Sequence, residues 1–295
     1  MFGKIRGKRE LKREQEREQN HFCRMLTGIT KEQFGLEIGP SLRPCAPKRE
    51  GYHVEIVDWL DREGLVDKYR EMGLDTSKIE EVDYIWDGRS YAEVTGKRGS
   101  YDYIIASHVI EHVPDFIGFL NDCASMLKPN GILSLAVPDK RFTLDHFRMV
   151  TTTGKVINDY LSKEKYGSMG ALTDYWNHVV RREGLLSWRR TQDRKLKKNY
   201  EFVHDEEFNR QNYKDSVGVE GIRDFHQNVF TPASFELLIY ELWEYELIAL
   251  KIETLYDTTA EEFIVSMRKA AERPIMSGEE RMELIRRVSR ENVVD

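Results

Sequence analysis

The chain has 295 residues, of which 40% are hydrophobic and 33% are charged, and its formal net charge is −6 at neutral pH. This length can bury a substantial core in one large domain or in a core domain with an elaboration. The modest negative charge argues against a broad nucleic-acid-binding surface. No apolar run is long enough to cross a bilayer, and the basic start of the chain leads into more charge, not into a signal peptide. Together with three widely spaced cysteines that form no CxxC pair, these features predict a cytoplasmic globular protein.

Within residues 1–30, the stretch from about Gly3 to Asn20 alternates Lys, Arg, Glu and Gln around few apolar residues. This pattern predicts a charged helical extension that is solvated or loosely attached to the rest of the chain. A basic patch that binds phosphate or a membrane surface is the less favoured interpretation. Within this extension, His21–Leu26 is the part that we expect to dock onto the domain.

The stretch FGLEIGPSLRPCAP, residues 34–47, is the first segment that predicts a ligand site. Its short apolar run ends at Gly39, Pro40 and Ser41, which is typical of a buried strand that stops abruptly and opens into a rigid loop. Gly39 allows the backbone to approach a ligand without a Cβ in the way. Glu37 stands near the carboxyl end of this strand, where open α/β sheets bind their ligands. An ordinary strand-to-loop turn is the alternative.

Two further predicted strands end in acids. The run Tyr52–Asp58 ends roughly twenty residues beyond the glycine turn, the spacing at which a carboxylate accepts hydrogen bonds from ribose hydroxyls. The run Val82–Gly88 repeats the form, with Asp87 directly before Gly88. The chain contains neither GxxxxGK[ST] nor GxGxxG, which disfavours phosphate or pyrophosphate binding of those kinds. The pattern instead predicts a site for a nucleoside with a small charged tail.

The fourth and fifth predicted strands are Tyr101–Ser107 and Ile132–Val137, and the fifth is apolar on both faces, as a central parallel strand is. A helix with an apolar stripe begins near Pro114, and Lys128–Gly131 is predicted as a turn. Strands that alternate with helices in this way predict an α/β fold with a Rossmann-like, doubly wound and mostly parallel sheet.

Five phrases of the sequence resemble the class I S-adenosylmethionine-dependent methyltransferases: LEIGPSLRP, PKREGYHVEIVD, VDYIWDG, ASHVIEHVPD and LAVPDKRFTLDHFR. They are most similar to a bacterial subgroup that is associated with surface-polysaccharide (O-antigen or capsule) biosynthesis. LEIGP corresponds to the family's first motif, an acid followed by alternating glycines, but Pro40 and Ser41 stand where later glycines are common. The resemblance implies S-adenosylmethionine as the cofactor and a sheet of seven strands.

The resemblance also implies roles for individual residues. Glu37 and Gly39 would border the methionine moiety, Asp58 would take the ribose hydroxyls, and Asp87 would lie beside the adenine. A simple turn before Gly88 is the alternative for Asp87. The predicted cofactor-binding set is completed by residues of the first loop, the residue after Asp58 and the end of the fourth strand: Pro40, Ser41, Trp59, Ser107 and His108.

About ninety residues follow the fifth strand before a predicted helix opens at Thr231. Two last strands are predicted after this helix, at Glu246–Thr254 and Glu261–Met267. The predicted organisation therefore has five parts. An extension (1–30) precedes a cofactor-binding core (31–138) and a largely helical insertion that forms an acceptor-binding lid (139–229). The last helix and strands of the core (230–270) and a charged helical tail (271–295) follow. The insertion holds four of the eight histidines, many Arg and Lys, and Trp176 and Trp188. Its aromatic residues predict stacking surfaces for sugars, and its basic residues predict contacts with phosphate or carboxylate, although a solvated helix face is the commoner meaning of a basic run.

Methyl transfer to a hydroxyl requires alignment and a base. His226 lies just before the C-terminal helix, and Asp139 and His146 lie in DKRFTLDHFR after the fifth strand, so these three are the candidate catalytic residues. An imidazole is favoured over a carboxylate because its free pKa lies near neutral pH, and a structural role is the alternative for each histidine. Asp139, Asp145 and a histidine show no tight ligand spacing, so no metal is predicted.

The predicted function is O-methylation of a sugar or glycan, including anionic or lipid-linked acceptors, in surface-polysaccharide biosynthesis. A phenol or amine acceptor is one alternative, and a cofactor-binding scaffold without activity, suggested by Pro40 and Ser41, is another. We expect no nucleic-acid partner and no membrane span, and we leave open a homo-oligomer or association with a glycosyltransferase. Glu111 and His112, which follow the fourth strand, are interpreted as a wall of the cofactor pocket.

Overall fold

The computed structural model describes residues 20–270, 272 and 274–293. The strands of this part of the chain are, in order, β1 Phe34–Ile38, β2 His53–Asp58, β3 Tyr84–Ile85, β4 Tyr101–Ser107, β5 Leu127–Pro138, β6 Val180–Arg182, β7 Tyr200–Phe202, β8 Leu250–Tyr256 and β9 Glu262–Lys269. Its α-helices with defined bounds are Arg62–Glu71, Tyr91–Thr95, Phe116–Met126, Thr153–Ser162, Met169–His178, Glu206–Ser216, Pro232–Glu244 and Gly278–Asn292.

Seven of these strands form the central sheet, in the order β3-β2-β1-β4-β5-β9-β8. β1 to β5 are parallel to one another, and β9 runs antiparallel to both β5 and β8. This arrangement confirms the predicted Rossmann-like, doubly wound and mostly parallel sheet. The order reverses between β1 and β4, and in such sheets the crevice beyond the carboxyl ends of the strands at this point is where ligands bind.

Three predicted elements differ from the structure. The strand predicted at Glu246–Thr254 begins only at Leu250 and ends at Tyr256. The third strand is only two residues long, because Tyr84 and Ile85 alone pair with β2. Lys128–Gly131, predicted as a turn, lies within β5, where the ladder with β4 shifts register: Tyr101 pairs with Leu127, but Tyr103 pairs with Ile132. The residues inserted between these pairs include Asn130, whose backbone has a φ of +63°. The turn signal therefore marks an irregularity in a strand and not the end of an element.

The apolar stripes predicted on two helices form much of the core. Phe116, Leu120 and Cys123 are fully buried on one face of their helix. The helix Pro232–Glu244 begins as predicted, because the Thr231 side chain accepts a hydrogen bond from the Ser234 amide and proline occupies the first turn. Both helices pack against the sheet. They thereby fix the positions of the loop that follows β4 and of the segment that precedes Thr231.

The insertion is partly helical and also contains an antiparallel pair, β6 with β7, that the sequence did not predict. Trp176 and Trp188 are buried, with 8% and 1% of their surface exposed, so they cannot offer the predicted stacking surfaces. The basic run is not one solvated helix face either, because Arg182 is buried and donates a 2.5 Å hydrogen bond to Asp193. The insertion is thus a small folded unit with its own interior.

Segments near both ends of the described chain pack on this core. Residues 20–25 are helical, Met25 is fully buried, and the Ser134 hydroxyl donates to the Met25 carbonyl at 2.7 Å, which confirms the predicted docking. The rest of the predicted charged extension, residues 1–19, lies outside the described residues. The helix Gly278–Asn292 packs on Pro232–Glu244 and buries Leu284. Among the described residues, no helix combines the length and apolar character that a bilayer crossing requires.

Candidate active site

The Glu37 side chain holds the loop after β1 in place. Its Oε1 accepts a 2.6 Å hydrogen bond from the Cys45 amide, and its Oε2 accepts a 3.1 Å bond from the Ala46 amide. Glu37 is 1% exposed, and burial raises its pKa to about 7. The carboxylate therefore holds the proline-rich part of the loop, and its predicted contact with a methionine moiety stays a prediction.

Gly39, Pro40 and Ser41 lie beside Asp58, as the strand-end pattern predicts. Gly39 and Ser41 have φ values of +62° and +46°, so the loop makes a tight turn that a glycine adopts without strain. The Ser41 amide donates to Asp58 Oδ2 at 3.0 Å, and the Trp59 amide donates to Oδ1 at 2.8 Å. Asp58 is 3% exposed, and burial raises the pKa of its carboxyl group.

Three other predicted cofactor residues lie at the exposed side of this region. Asp87 forms a 2.7 Å ion pair with Arg89 in a turn, which lowers the pKa of Asp87. Gly88 has a φ of +91° in the same turn. Trp59 is 47% exposed, and the Lys68 ammonium lies 4.1 Å from the centre of its ring. The structure agrees with the turn alternative for Asp87, and its contact with adenine remains untested.

Ser107 and His108 lie at the carboxyl end of β4, which pairs with β1 on the side away from β2 and Asp58. His108 has a φ of +53°, and its Nε2 lies 2.6 Å from Glu262 Oε2 in β9. Its Nδ1 lies 3.4 Å from Glu111 Oε1. His108 thus connects the crevice to the antiparallel edge of the sheet, and Ser107 is half-buried next to it.

Just beyond β4, the side chains of Glu111, His112 and His226 meet, and we call these three residues the acid–imidazole cluster. One ligating atom from each lies within 4.8 Å of the others. The two imidazole rings pack edge to face, with 4.9 Å between their centres. Glu111 is 1% exposed, yet neither of its carboxylate oxygens accepts a hydrogen bond from the described part of the chain.

Each imidazole of the cluster has a carboxylate at its Nδ1. His226 Nδ1 lies 2.5 Å from Asp145 Oδ2, and His112 Nδ1 lies 3.0 Å from Asp224 Oδ1. Burial disfavours the charged form of His226, but the neighbouring Asp145 outweighs this effect and raises the His226 pKa. Asp145 is in turn fixed by Arg148, whose Nη1 donates to Oδ1 at 2.7 Å. These contacts leave the Nε2 atom of each ring available to a ligand.

Backbone hydrogen bonds attach the end of the insertion to the turn after β4. The amides of Gln227 and Asn228 both donate to the Glu111 carbonyl, at 2.7 and 3.0 Å. The Asn228 side chain donates to the Val113 carbonyl at 2.8 Å. Because these bonds fix the residues directly after His226, the imidazole reaches the cluster from a part of the chain that is distant in sequence.

The two other predicted catalytic residues are engaged elsewhere. Asp139 is fully buried, and its carboxylate accepts hydrogen bonds from Arg141 and from the Thr258 hydroxyl. His146 is 5% exposed; its Nδ1 lies 2.8 Å from the Arg141 carbonyl and its Nε2 lies 3.1 Å from the Tyr200 hydroxyl. Burial lowers the His146 pKa to about 4. Of the three candidates, His226 is the one that joins the acid–imidazole cluster.

A family model described as a methyltransferase domain matches residues 33–236, which is more than half of the chain. The chain belongs to this methyltransferase family. The methyltransferase is 41% identical over 51 residues to a protein of Parvibaculum lavamentivorans named ubiquinone biosynthesis O-methyltransferase, a match that covers 17% of this chain and 20% of that one. It is 29% identical over 98 residues to a protein of the same name from Xanthomonas campestris, covering 33% of this chain and 37% of that one. Thus the chain spans well under half the length of these curated relatives.

Among solved structures, the methyltransferase is similar to a protein of Aquifex aeolicus described as a SAM-dependent methyltransferase. The two are 9% identical, with a TM-score of 0.41, over 86% of this chain and 89% of that one. The family match confirms the predicted enzyme class, for which S-adenosylmethionine is the expected methyl donor.

The residues at the switch point fit this cofactor. Asp58 is a buried carboxylate whose Oδ2 accepts from the amide and the hydroxyl of Ser41, while its Oδ1 accepts only from the Trp59 amide among the described residues and retains acceptor capacity for a ribose hydroxyl. Gly39 leaves room for close approach to the backbone. Asp58 and the Gly39–Ser41 loop would therefore hold the nucleoside, and the acid–imidazole cluster would lie toward the acceptor.

From the sequence, Glu111 and His112 are interpreted as a wall of the cofactor pocket, and Asp145 is considered only within a set of ligands whose spacing predicts no metal. No local pattern connects any of them with His226. The adjacent Glu-His pair directly after a predicted strand was a usable signal, because strand ends in such sheets line the ligand crevice. Nothing local to that pair indicates its partner in the insertion.

Proposed function

We propose that this methyltransferase transfers a methyl group to a hydroxyl oxygen of a sugar or glycan, as in surface-polysaccharide biosynthesis. The acid–imidazole cluster, with His226 held by Asp145 at 2.5 Å, is the observation that supports an oxygen acceptor. A hydroxyl is a weak nucleophile at neutral pH and reacts faster when a positioned group withdraws its proton. Since Asp139 and His146 are engaged elsewhere, we infer that activation of the hydroxyl depends on His226.

Bound S-adenosylmethionine supplies a methyl group on a positively charged sulfur. With the donor bound, the acceptor oxygen would attack the methyl carbon in line, forming the O–C bond as the C–S bond breaks and leaving the electron pair on sulfur as a thioether. The hydroxyl proton is lost at the acid–imidazole cluster. Asp58 and the loop that Glu37 anchors hold the donor, and the cluster aligns the acceptor, which is the main contribution that the enzyme makes.

The insertion offers an aromatic surface beside the cluster. Tyr175 is half-buried, and its ring centre lies 6.5 Å from that of His226. An aromatic ring in this position can pack against the apolar face of a sugar ring or against a phenol. The exposed cationic side chains of the insertion, among them Arg181, Arg194 and Lys195, favour an anionic glycan.

A phenolic hydroxyl is the second candidate acceptor. It is favoured by the relatives named ubiquinone biosynthesis O-methyltransferase, although the matches cover 17% and 33% of this chain. Both candidates require the same activation of a hydroxyl at the cluster. They differ in whether the surface around Tyr175 accepts an extended polar sugar or a flat ring.

Incubation of the full chain with S-adenosylmethionine and three acceptor panels tests the proposal. The panels are nucleotide sugars with oligosaccharides, catechols, and primary amines, and mass spectrometry detects both S-adenosylhomocysteine and the added methyl group. Methylation of the first panel is expected. Methylation of catechols alone would replace the glycan by a phenol, and transfer to amines alone, or no transfer at all, would contradict O-methylation.

Replacing Asp58 with alanine is expected to weaken S-adenosylmethionine binding by roughly 10- to 100-fold, because charged hydrogen bonds of this kind contribute about 1.5–3 kcal/mol. Isothermal titration calorimetry measures the change. Asp58→Asn keeps the volume beside Ser41 and separates loss of charge from loss of loop packing. Asp75→Ala, at a fully exposed acid outside the crevice, is the matched control. Unchanged affinity in Asp58→Ala would show that this carboxylate does not bind the donor.

A further inference from the structure

The acid–imidazole cluster has the composition of a metal centre. Two imidazoles and one carboxylate bring their ligating atoms within 4.8 Å of one another. Imidazole nitrogen suits divalent transition metals, whereas Mg²⁺ and Ca²⁺ are bound mostly by oxygen ligands. We propose that Glu111, His112 and His226 bind a divalent ion of the Mn²⁺-to-Zn²⁺ series, and that this ion holds the acceptor hydroxyl. The inference rests on the proposed function and replaces the expectation that no metal takes part.

The state of Glu111 points to a cation. Its carboxylate is buried, and neither oxygen accepts a hydrogen bond from the described residues. The nearest positive partners are His108 Nδ1 at 3.4 Å and His112 Nε2 at 3.9 Å, both beyond good hydrogen-bonding distance. A buried carboxylate without a close partner is costly, and a native protein normally satisfies it with a hydrogen bond or an ion. A metal ion between Glu111 and the two imidazoles meets this need.

The surroundings of the two histidines point the same way. Metal-binding histidines almost always have a carboxylate or carbonyl group at the ring nitrogen that does not bind the metal, which fixes the tautomer and the ring orientation. His226 shows this arrangement, with Asp145 Oδ2 2.5 Å from its Nδ1. At His112, the exposed Asp224 carboxylate lies 3.0 Å from Nδ1 as an ion-pair partner without hydrogen-bond geometry. The orientation of the His226 ring leaves its Nε2 for the ion.

The ion gives the cluster a defined chemical task. As a Lewis acid it lowers the pKa of the acceptor hydroxyl, so that the proton leaves to solvent water and the oxygen attacks the methyl carbon. His226 then acts as a ligand, and Asp145 and Asp224 are positioning residues that orient the rings. The three protein ligands leave coordination positions for the acceptor oxygen and for water.

Titration of the chelator-treated full chain with Co²⁺ tests the site, because the visible absorption of Co²⁺ reports its ligands without any methyl transfer. Wild-type protein is expected to bind one Co²⁺ at this site, with Glu111→Gln and His226→Ala weakened by at least about 30-fold and Asp145→Asn by about 10-fold. His178→Ala, at an exposed histidine whose Nδ1 lies 2.8 Å from the Asp174 carbonyl, is the matched control and should bind like wild type. Thermal unfolding of every variant verifies that it folds.

The outcomes separate this inference from the proposed function. Equal Co²⁺ affinity in wild type and Glu111→Gln would overturn the metal site. Methyl transfer to a hydroxyl that is unaffected by EDTA would also overturn it, and would leave O-methylation standing with His226 as a free base. Specific Co²⁺ binding by a protein that methylates no acceptor would support the metal site and overturn the proposed function.

Discussion

The turnover number of methyl transfer is expected to fall by about 1,000-fold when His226 is replaced by alanine, within the range for loss of a group that activates a nucleophile. His226 reaches the acid–imidazole cluster with its Nδ1 fixed by Asp145 at 2.5 Å, and its loss removes that group from the acceptor side of the crevice. Binding of S-adenosylmethionine should change little, because the donor is held at Asp58 and the Gly39–Ser41 loop. Steady-state kinetics and calorimetry together measure the two effects.

Asp145→Asn distinguishes positioning from general damage to the fold. Asparagine has almost the shape of aspartate but lacks the charge that holds the His226 ring, so kcat should fall by about 10- to 100-fold while the acceptor KM and donor affinity stay near wild type. A variant that merely loosened the structure would change all three quantities together. His178→Ala is again the control. Retention of more than a tenth of wild-type kcat by His226→Ala would contradict the proposed role.

Acid should destabilise the folded protein through His146, by up to about 3 kcal/mol between pH 6.5 and pH 4. Burial lowers the His146 pKa from 6.5 to about 4. Between these pH values His146 is therefore protonated in the unfolded chain and neutral in the folded chain. Stability is therefore complete above the unfolded pKa and is lost as the pH falls toward 4. The ring is held neutral between the Arg141 carbonyl and the Tyr200 hydroxyl, and it stacks on Tyr200 with 5.0 Å between ring centres.

Urea unfolding at several pH values, compared between wild type and His146→Gln, isolates this contribution. Other acids also titrate in this window, but they do so in both proteins, so the difference between the two curves belongs to His146. The variant is expected to be less stable at pH 7 and to lose less stability on acidification. His178→Gln, at an exposed site, should follow the wild-type curve. Parallel curves for wild type and His146→Gln would show that His146 does not cause the acid sensitivity.

Local patterns in the sequence were sufficient to predict the sheet and the donor side of the site. An apolar run that stops at glycine, followed by runs that end in acids, specifies strand ends because strand and turn preferences act over a few residues. The structure accordingly brings the Gly39–Ser41 loop to Asp58. The stripe on Phe116–Met126 was predictable for the same reason, since helical periodicity shows which face is buried.

Local signals failed where tertiary contacts decide the outcome. The motif KPNG at Lys128–Gly131 has strong turn residues, yet the pairing of Leu127 and Ile132 with β4 on either side of it keeps it within a strand. The two tryptophans of the insertion look like a binding surface in the sequence, but the insertion has an interior of its own that buries them. Composition reveals which residue types are present, and only the packing decides which of them face a ligand.

The fold class, the expected methyl donor and the acids and histidines available for chemistry can be read from the sequence. Which of these acids and histidines act together depends on tertiary contacts. Asp145 and His226 are 81 residues apart, and they meet because the amides of residues 227 and 228 bond to the Glu111 carbonyl and hold the end of the insertion on the turn after β4. Such a pairing depends on the docking of a folded insertion, and no spacing within the chain encodes it.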